Sequence, residues 1–297
     1  MKIIDTICPI CSSRWNFQIL YPANFKTSDF SQKVFSARRL PDRIHYKIVK
    51  CSRCGLVRSD PVISSEEMEK LYKESKFTYG EETENLIKTY IHALKPILNQ
   101  LNTEDNILEV GCGNGFMLNK LYKMGFKNIY GVEPSVEAVK KADKNIRKRI
   151  IANVLKPSFF VGKKFKLIFF FQTLDHIKSP GKLLEDCFRL LAPRGYIVAF
   201  QHNIESWSAR ILGEKSPIID IEHTHLYSPV TLKMIFEKYG FSTQKVYSPV
   251  NIISIKHLVW LSPFPGFIKN KLLALKIPAK ISIPLKLGNV CIIAQKE

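Results

Sequence analysis

The sequence is short of acidic side chains and contains no long hydrophobic run. It has 26 Asp and Glu residues against 45 Lys and Arg residues, which gives a formal net charge of +19. No apolar stretch reaches the roughly 18 residues of a membrane span, and the first residues lack the apolar core of a secretory signal. We therefore expect a cytoplasmic chain without a transmembrane segment. Its positive surface should attract nucleic acid, an anionic membrane or a phosphorylated substrate.

A disulfide framework is also not expected, because the seven cysteines are an odd number and the expected compartment is reducing. Four of them form two C-x-x-C pairs, Cys8 with Cys11 and Cys51 with Cys54. Four thiolates can close a tetrahedral zinc site, and such a zinc is structural because no position is left for water. We predict a small zinc ribbon over residues 1–62. Four unrelated core or redox cysteines are the alternative.

The most informative segment is Asn106–Phe116, in which a short apolar strand pattern runs into three glycines at alternate positions, Gly111, Gly113 and Gly115. A helical pattern follows. Glycine lets the backbone approach a ligand, and the helix N-terminus offers unpaired N–H groups. The spacing differs from the dinucleotide fingerprint G-x-G-x-x-G. Glu109 precedes the first glycine by two positions, where a carboxylate repels phosphate and suits an ammonium or sulfonium group.

A second acidic residue, Glu133, ends the next strand pattern about 20 residues past the glycine loop, where it is placed to accept hydrogen bonds from ribose hydroxyls. Pro134 cannot continue the strand, and Ser135 is the expected N-cap of a helix over residues 136–144. Taken alone, Glu133 would be read as a solvated residue at a strand end.

Together these segments resemble motif I, E/D-x-G-x-G-x-G, and the following acidic motif of the class I S-adenosylmethionine-dependent methyltransferases. The resemblance implies an α/β fold over residues 99–297: a doubly wound, Rossmann-like, mostly parallel seven-stranded sheet with an antiparallel edge strand. It also implies S-adenosylmethionine as the cofactor. The residues that it assigns to the cofactor site here are Glu109, Gly111, Cys112, Gly113, Gly115, Glu133 and Pro134.

Phe165–Ile177 resembles the family's fourth strand, F-D-x-I, and the polar loop L-E-H after it. Lys166 stands in place of the usual aspartate, and Asp175 in place of the usual glutamate. Gln172, at the end of this strand, is a candidate contact for the cofactor or the acceptor. Asn153 stands where many relatives carry the acid that contacts the adenine amino group, so it is a further candidate cofactor residue.

Two segments extend the expected core. The helical pattern of residues 63–98 predicts a connector that could cover the cofactor as a lid. Tyr72 and Tyr79 are its candidate contacts with the cofactor or the substrate. Residues near 252–287 predict an inserted cap, in which apolar side chains alternate with lysines and several prolines exclude one continuous helix. That composition suits contact with anionic lipid or a lid over a lipid-like substrate. A packed cap with solvated lysines is the alternative.

The segment after the fifth strand is expected to line the substrate pocket, because ligands lie off the carboxyl ends of parallel strands. It resembles the E-H-x-H-x-x-S-P stretch of many zinc-ribbon methyltransferases. Candidate general bases are His176, His202, His223 and His225, of which we predict His176 and His225 as catalytic. Each could instead serve packing or positioning. His223 and His225 could also bind a metal, although capping of the following helix is the alternative.

These features predict methyl transfer from S-adenosylmethionine to a small molecule. The resemblance favours a sugar, a sugar nucleotide or a glycolipid precursor, and the positive charge fits a phosphorylated or lipid-linked acceptor, with peripheral contact to an anionic membrane. Ribosomal or transfer RNA is the main alternative, because zinc-ribbon methyltransferases also modify RNA and the charge suits a phosphate backbone. Lys166 and Asp175 keep open a third reading, a non-catalytic binding protein that retains the fold.

Overall fold

The computed structural model describes residues 3–26, 44–73, 82–262, 265–274 and 281–297. Tyr79 and the side chain of Tyr72 lie outside the described residues. The described strands are β1 Ile3–Ile4, β2 Phe17–Tyr21, β3 Ile48–Cys51, β4 Val57–Ser59, β5 Val62–Ile63, β6 Ile107–Val110, β7 Ile129–Val132, β8 Ile150–Ile151, β9 Phe165–Phe171, β10 Leu191–His202, β11 His225–Leu226, β12 Phe241–Tyr247, β13 Asn251–Ser254, β14 Ser282–Leu285 and β15 Asn289–Lys296. The described α-helices are α1 Ser65–Lys73, α2 Thr83–Leu98, α3 Phe116–Lys123, α4 Val136–Lys140, α5 Lys144–Arg147, α6 Pro180–Leu190, α7 Trp207–Leu212, α8 Pro229–Lys238, α9 Ile255–Leu261 and α10 Gly266–Ala274.

Seven strands form one sheet in the order β12-β15-β10-β9-β6-β7-β8. The pairs from β10 to β8 are parallel. β15 runs antiparallel between β10 and the edge strand β12. β6, the first of these seven strands along the chain, lies inside the sheet, and later strands add on both sides of it. This is the predicted doubly wound, Rossmann-like arrangement with an antiparallel edge, and the predicted fold class is confirmed.

The sheet is buried on both faces, as parallel strands covered by helices require. In β9 only Lys166 is exposed, while the other six of its seven residues are buried. One face packs against helices α6 and α8 through residues such as Leu184 and Phe236. The other face packs against α2 and α3 through residues such as Leu94 and Leu118. The long apolar run of β9 therefore forms the centre of the core and fixes the sheet edge at which its polar residues emerge.

The N-terminal residues form a second, four-stranded sheet in the order β11-β4-β3-β2. Its strand β11 comes from the second half of the chain and pairs antiparallel with β4, where His225 lies opposite Arg58. The backbone N–H of Ser59 also donates to the carbonyl of Thr224 at 2.9 Å. Cys8 belongs to the same buried cluster as Phe236 of α8. The N-terminal sheet and the seven-stranded sheet thus share side chains in one core.

Strands β13 and β14 and helices α9 and α10 form the described part of the inserted segment, and the two strands pair antiparallel. This cap is attached to the connector helix α2: the N–H of Ile252 donates to Oγ1 of Thr89 at 2.8 Å. The hydroxyl of Ser254 donates to the carboxylate of Glu82, just before that helix. The connector and the cap therefore lie together. None of the described helices has the length and hydrophobicity needed to span a bilayer.

Candidate active site

A cavity of about 810 Å³ opens where β6, β7, β9 and β10 end. Its volume lies in the upper part of the usual range for small-molecule sites. Connector residues such as Leu86 and cap residues such as Leu258 form part of its wall. The sequence-predicted residues that line it are Gly111, Gly113, Glu133, Pro134, Asn153, Gln172 and His176. Those that do not line it are Glu109, Cys112, Gly115 and His225.

The three glycines of the loop serve different purposes, although all have a positive φ, at 73°, 56° and 71° in chain order. A Cβ at Gly111 would lie 2.6 Å from Oγ1 of Thr173, so this position lets the loop after β6 pass close to the loop after β9. A Cβ at Gly115 would lie 2.8 Å from the side chain of Ile146. Gly115 thus serves packing against α5, whereas Gly111 and Gly113 form the cavity wall.

The carboxylate of Glu133 fastens the glycine loop to the start of α4. One oxygen accepts from the N–H of Gly113 at 2.9 Å, and the other accepts from the N–H of Ser135 at 2.8 Å. Each carboxylate oxygen has a second lone pair, so both can still accept a hydrogen bond from a ligand in the cavity. Burial raises the pKa of Glu133, while these two N–H donors oppose that change.

Glu109 and Cys112 are buried and lie outside the cavity wall. Burial raises the pKa of Glu109, and the nearby charge of Glu133 raises it further. Burial likewise raises the pKa of the Cys112 thiol. Oε2 of Glu109 has no hydrogen-bond partner within the described parts of the chain. A raised pKa favours the uncharged carboxyl group at Glu109, behind the cavity wall.

Gln172 directly follows β9 and has an unusual backbone conformation, with φ at 51°. Its N–H donates to the carbonyl of Phe200 in the neighbouring strand at 2.8 Å. Its Oε1 has no hydrogen-bond partner in the portion of the structure that is described. A positive φ in a non-glycine residue is costly and recurs at ligand sites. Asn153 also lines the cavity, and its Oδ1 accepts from the N–H of Val154 at 2.9 Å.

A histidine cluster surrounds Asp175, which is fully buried. Nδ1 of His202 lies 2.6 Å from Oδ2 of Asp175, and Nε2 of His176 lies 3.8 Å from Oδ1. The ring centroid of His223 lies 4.8 Å from that of His176 and 4.6 Å from that of His202. Nδ1 of His223 lies 2.9 Å from the carbonyl of Ile218. All three imidazoles line the cavity.

Burial opposes a positive charge on two imidazoles of this cluster, those of His176 and His223. Burial lowers the pKa of His176 to about 3 against the opposing charge of Asp175. Burial also lowers the pKa of His223. For Asp175 burial acts to raise the pKa, but the adjacent imidazoles outweigh it and hold the pKa well below its usual range. His176 and His223 can therefore offer a nitrogen lone pair to a ligand in the cavity.

His225, which the sequence suggests as catalytic, lies elsewhere. It is buried in β11 of the N-terminal sheet, and its Nδ1 lies 3.1 Å from Oγ1 of Thr224. Burial lowers its pKa to about 4. Its ring stacks on Tyr227 with centroids 6.3 Å apart. The pairing of His202 with Asp175 is the feature that sequence reasoning missed. His202 ends β10 and Asp175 lies in the short turn after β9, so no local spacing connects them.

The four paired cysteines form one cluster. Sγ of Cys8 lies 3.4 Å from Sγ of Cys54, and Sγ of Cys11 lies 3.4 Å from Sγ of Cys51. Both C-x-x-C pairs make matching turns: the residues after them, Ser12 and Gly55, each donate an N–H at 2.9 Å to the carbonyl of the first cysteine of the pair and have positive φ. Sulfurs around a tetrahedral zinc lie about 3.8 Å apart. The two 3.4 Å pairs and the 4.8 Å limit for the whole cluster bracket this distance, so the four cysteines have the donor set and the spacing of a zinc site.

Comparison with known proteins places the region around the cavity in a family. The sequence model described as "Methyltransferase domain" matches residues 79–246. The ubiquinone biosynthesis O-methyltransferase of Histophilus somni is 25% identical over 142 residues, which cover 41% of this chain and 59% of that protein. The tRNA U34 carboxymethyltransferase of Nautilia profundicola is 29% identical over 116 residues, which cover 35% of this chain and 36% of that protein.

The solved complex between the Haloferax volcanii Trm112 methyltransferase activator and a protein assigned as a methyltransferase contains a chain of similar fold. It matches with a TM-score of 0.50 and 16% identity, covering 72% of this chain and 93% of that chain. At this identity the likeness concerns the fold alone. The chain spans only 59% and 60% of the length of the first two curated relatives that it matches.

Proposed function

Since the match to the family model covers more than half of the sequence, the chain belongs to the methyltransferase domain family, and we propose that it transfers a methyl group from S-adenosylmethionine to a small-molecule acceptor. The observation that carries this proposal is the clamp formed by Glu133. It holds the glycine loop at the wall of a cavity of about 810 Å³ and leaves acceptor lone pairs for ribose hydroxyls.

The residues present fit the cofactor. Gly111 and Gly113 give a backbone wall without side chains, and Glu133 would hold the ribose. The unused Oε1 of Gln172, which lines the cavity, suits a ligand that carries hydrogen-bond donors. When bound, S-adenosylmethionine supplies a methyl carbon on a sulfonium, which is already an activated leaving group. The protein then has to orient the acceptor and exclude water.

We assign His202 as the base for an acceptor that loses a proton. Its Nδ1 is paired with Asp175 at 2.6 Å, so the N–H of the ring points to the carboxylate and Nε2 keeps its lone pair. His202 lines the cavity, and the buried Asp175 stabilises the imidazolium that forms when a proton is taken. Asp175 thus orients the ring of His202, and His202 takes the proton from a hydroxyl group of the acceptor.

The cavity wall supports a sugar, a sugar nucleotide or a glycolipid precursor as the acceptor. Lys178 and Lys182 line it and could contact a phosphate, while Ile252 and Leu258 of the cap give it an apolar side. Trp260 of the cap is exposed, as suits contact with a lipid-linked molecule. RNA is the second candidate, supported by the net charge of +19. A site walled by both connector and cap is better suited to a small acceptor.

We also propose a structural zinc ion in the cluster of Cys8, Cys11, Cys51 and Cys54. Four sulfurs lie within 4.8 Å of one another on two matching turns, and four thiolates leave no open position for chemistry. The ion would stabilise the N-terminal sheet, whose strand β4 pairs with β11.

The proposed function is tested by transfer of a labelled methyl group to an extract of the producing cells, separated into lipid, nucleic-acid and small-molecule fractions. We expect label in the small-molecule or lipid fraction. The His202→Asn variant should transfer about 100-fold more slowly with unchanged cofactor affinity, because a positioned base contributes that order of rate. His92→Asn, at an exposed site on α2, is the matched control. Label in nucleic acid would favour RNA, and cofactor binding without any transfer would favour a binding protein.

A further inference from the structure

A second cluster of metal-ligand side chains lies at the cavity, apart from the four cysteines. Asp175, His176 and His223 each offer one ligand atom, and these atoms lie within 4.8 Å of one another. Both imidazoles line the cavity, and the carboxylate is buried beside them. Two imidazoles and one carboxylate with an open side are the donor set of non-haem iron sites and of catalytic zinc sites.

One carboxylate oxygen of Asp175 accepts a hydrogen bond and the other does not, among the residues described. Oδ2 takes the hydrogen bond from His202, whereas Oδ1 has no hydrogen-bond partner among the residues described and lies 3.8 Å from Nε2 of His176. A fully buried carboxylate oxygen without a donor is rare, because it has lost its water and gained nothing in return. A bound cation would satisfy this atom. His202 would then be the partner that orients the ligating carboxylate.

His223 is oriented as a metal-bound histidine usually is. Its Nδ1 lies 2.9 Å from the carbonyl of Ile218 and can only donate to that oxygen, so the proton is on Nδ1 and the lone pair is on Nε2. A ring N–H that donates to a backbone carbonyl is the common outer contact of a ligating imidazole. This observation is independent of the unused oxygen on Asp175.

We propose that Asp175, His176 and His223 bind a divalent transition ion such as Zn²⁺, Co²⁺ or Fe²⁺ at the cavity wall. Ligand atoms of a tetrahedral site lie about 3.3 Å apart, so side-chain movements of about 1 Å bring the three atoms to one ion. The role of the ion rests on the proposed function. An acceptor hydroxyl bound at its open position loses its proton more readily, and His202 accepts that proton. The oxygen then bonds to the methyl carbon while the carbon–sulfur bond breaks, its electron pair going to sulfur.

Cobalt titration of the purified full chain, freed of loosely held metal with a mild chelator, tests the site. Neither cofactor nor acceptor is added. We expect one equivalent of Co²⁺ beyond that held by the cysteines. This equivalent should add visible d–d absorption without adding a thiolate-to-cobalt charge-transfer band. X-ray absorption should show only nitrogen and oxygen neighbours for this ion. Asp175→Asn and His223→Gln should each weaken its binding at least tenfold, whereas His92→Ala should not change it.

No cobalt beyond the cysteine site would overturn the proposal, and so would equal affinity in folded Asp175→Asn and His223→Gln variants. The cluster would then be a directly bonded polar network. The spectra of the unaltered chain decide the question even if a variant fails to fold. Binding of S-adenosylmethionine is measured separately by calorimetry. If the chain binds cobalt at this site but does not bind the cofactor, the proposed function is refuted and the metal site is not.

Discussion

At the scale of single residues, Glu133 decides whether the glycine loop can hold a nucleoside. It fastens Gly113 and Ser135 and keeps acceptor lone pairs toward the cavity. Glu133→Ala removes both the clamp and the acceptors, so we expect S-adenosylmethionine to bind at least tenfold more weakly, which is about 1.4 kcal/mol. Isothermal calorimetry measures this. Glu137→Ala removes a partly exposed carboxylate of α4 that is paired with Lys141, and it should leave the affinity unchanged. Equal affinity in the two variants would remove the ribose assignment.

The role of a residue can be predicted from the sequence when its partners are near neighbours along the chain. Ser135 was predicted as an N-cap, and its hydroxyl accepts from the N–H of Ala138. The dyad of Asp175 and His202 is not predictable in this way, because its members are brought together only by the parallel pairing of β9 with β10. The placement of His225 in the N-terminal sheet likewise depends on a strand pairing between distant segments.

At the scale of elements, the cap is attached to the connector through Ser254. Its hydroxyl donates to Glu82, and the same oxygen accepts from the N–H of His257 as the N-cap of α9. Ser254→Ala removes both bonds, and an N-cap alone contributes about 1 kcal/mol. We expect trypsin to cleave the cap at Lys256 at least tenfold faster, because local opening becomes more frequent. Ser242→Ala in the edge strand β12 is the control. Unchanged cleavage would mean that other contacts hold the cap.

Helix boundaries show what the sequence leaves open at this scale. One helix was predicted over residues 136–144, but the structure has α4 and α5, which are separated at Asp143. The Asp143 side chain accepts from the N–H of Asn145 and starts the second helix. An aspartate inside a helical pattern can either continue a helix or begin a new one, and packing decides between them. Here Ile146 of α5 is buried in the core beside Gly115, a contact that the sequence pattern does not show.

At the scale of the whole molecule, the resemblance carried by the glycine loop and Glu133 implied the doubly wound topology that the seven-stranded sheet has. Composition could not show how the N-terminal sheet is joined to the rest. Strand β11 has only two residues and carries no periodic signal of its own. It becomes a strand because β4 pairs with it, and Lys238 of α8 adds a second link by donating to the carbonyl of Pro9 at 2.7 Å.

These links predict that metal at the cysteines stabilises the entire chain and not only its N-terminal sheet. Cys8 and Cys51 pack in the same cluster as residues of α8, so opening the cysteine site exposes part of the common core. Cys51→Ser should abolish the tightly held zinc equivalent and cost about 3 kcal/mol, which lowers Tm by about 10 °C in a single cooperative transition. Metal analysis and calorimetric unfolding measure both effects. Cys187→Ser, at a buried cysteine outside that site, should keep the zinc. Two separate unfolding transitions would show instead that the N-terminal sheet is an independent unit, since a shared core cannot melt in parts.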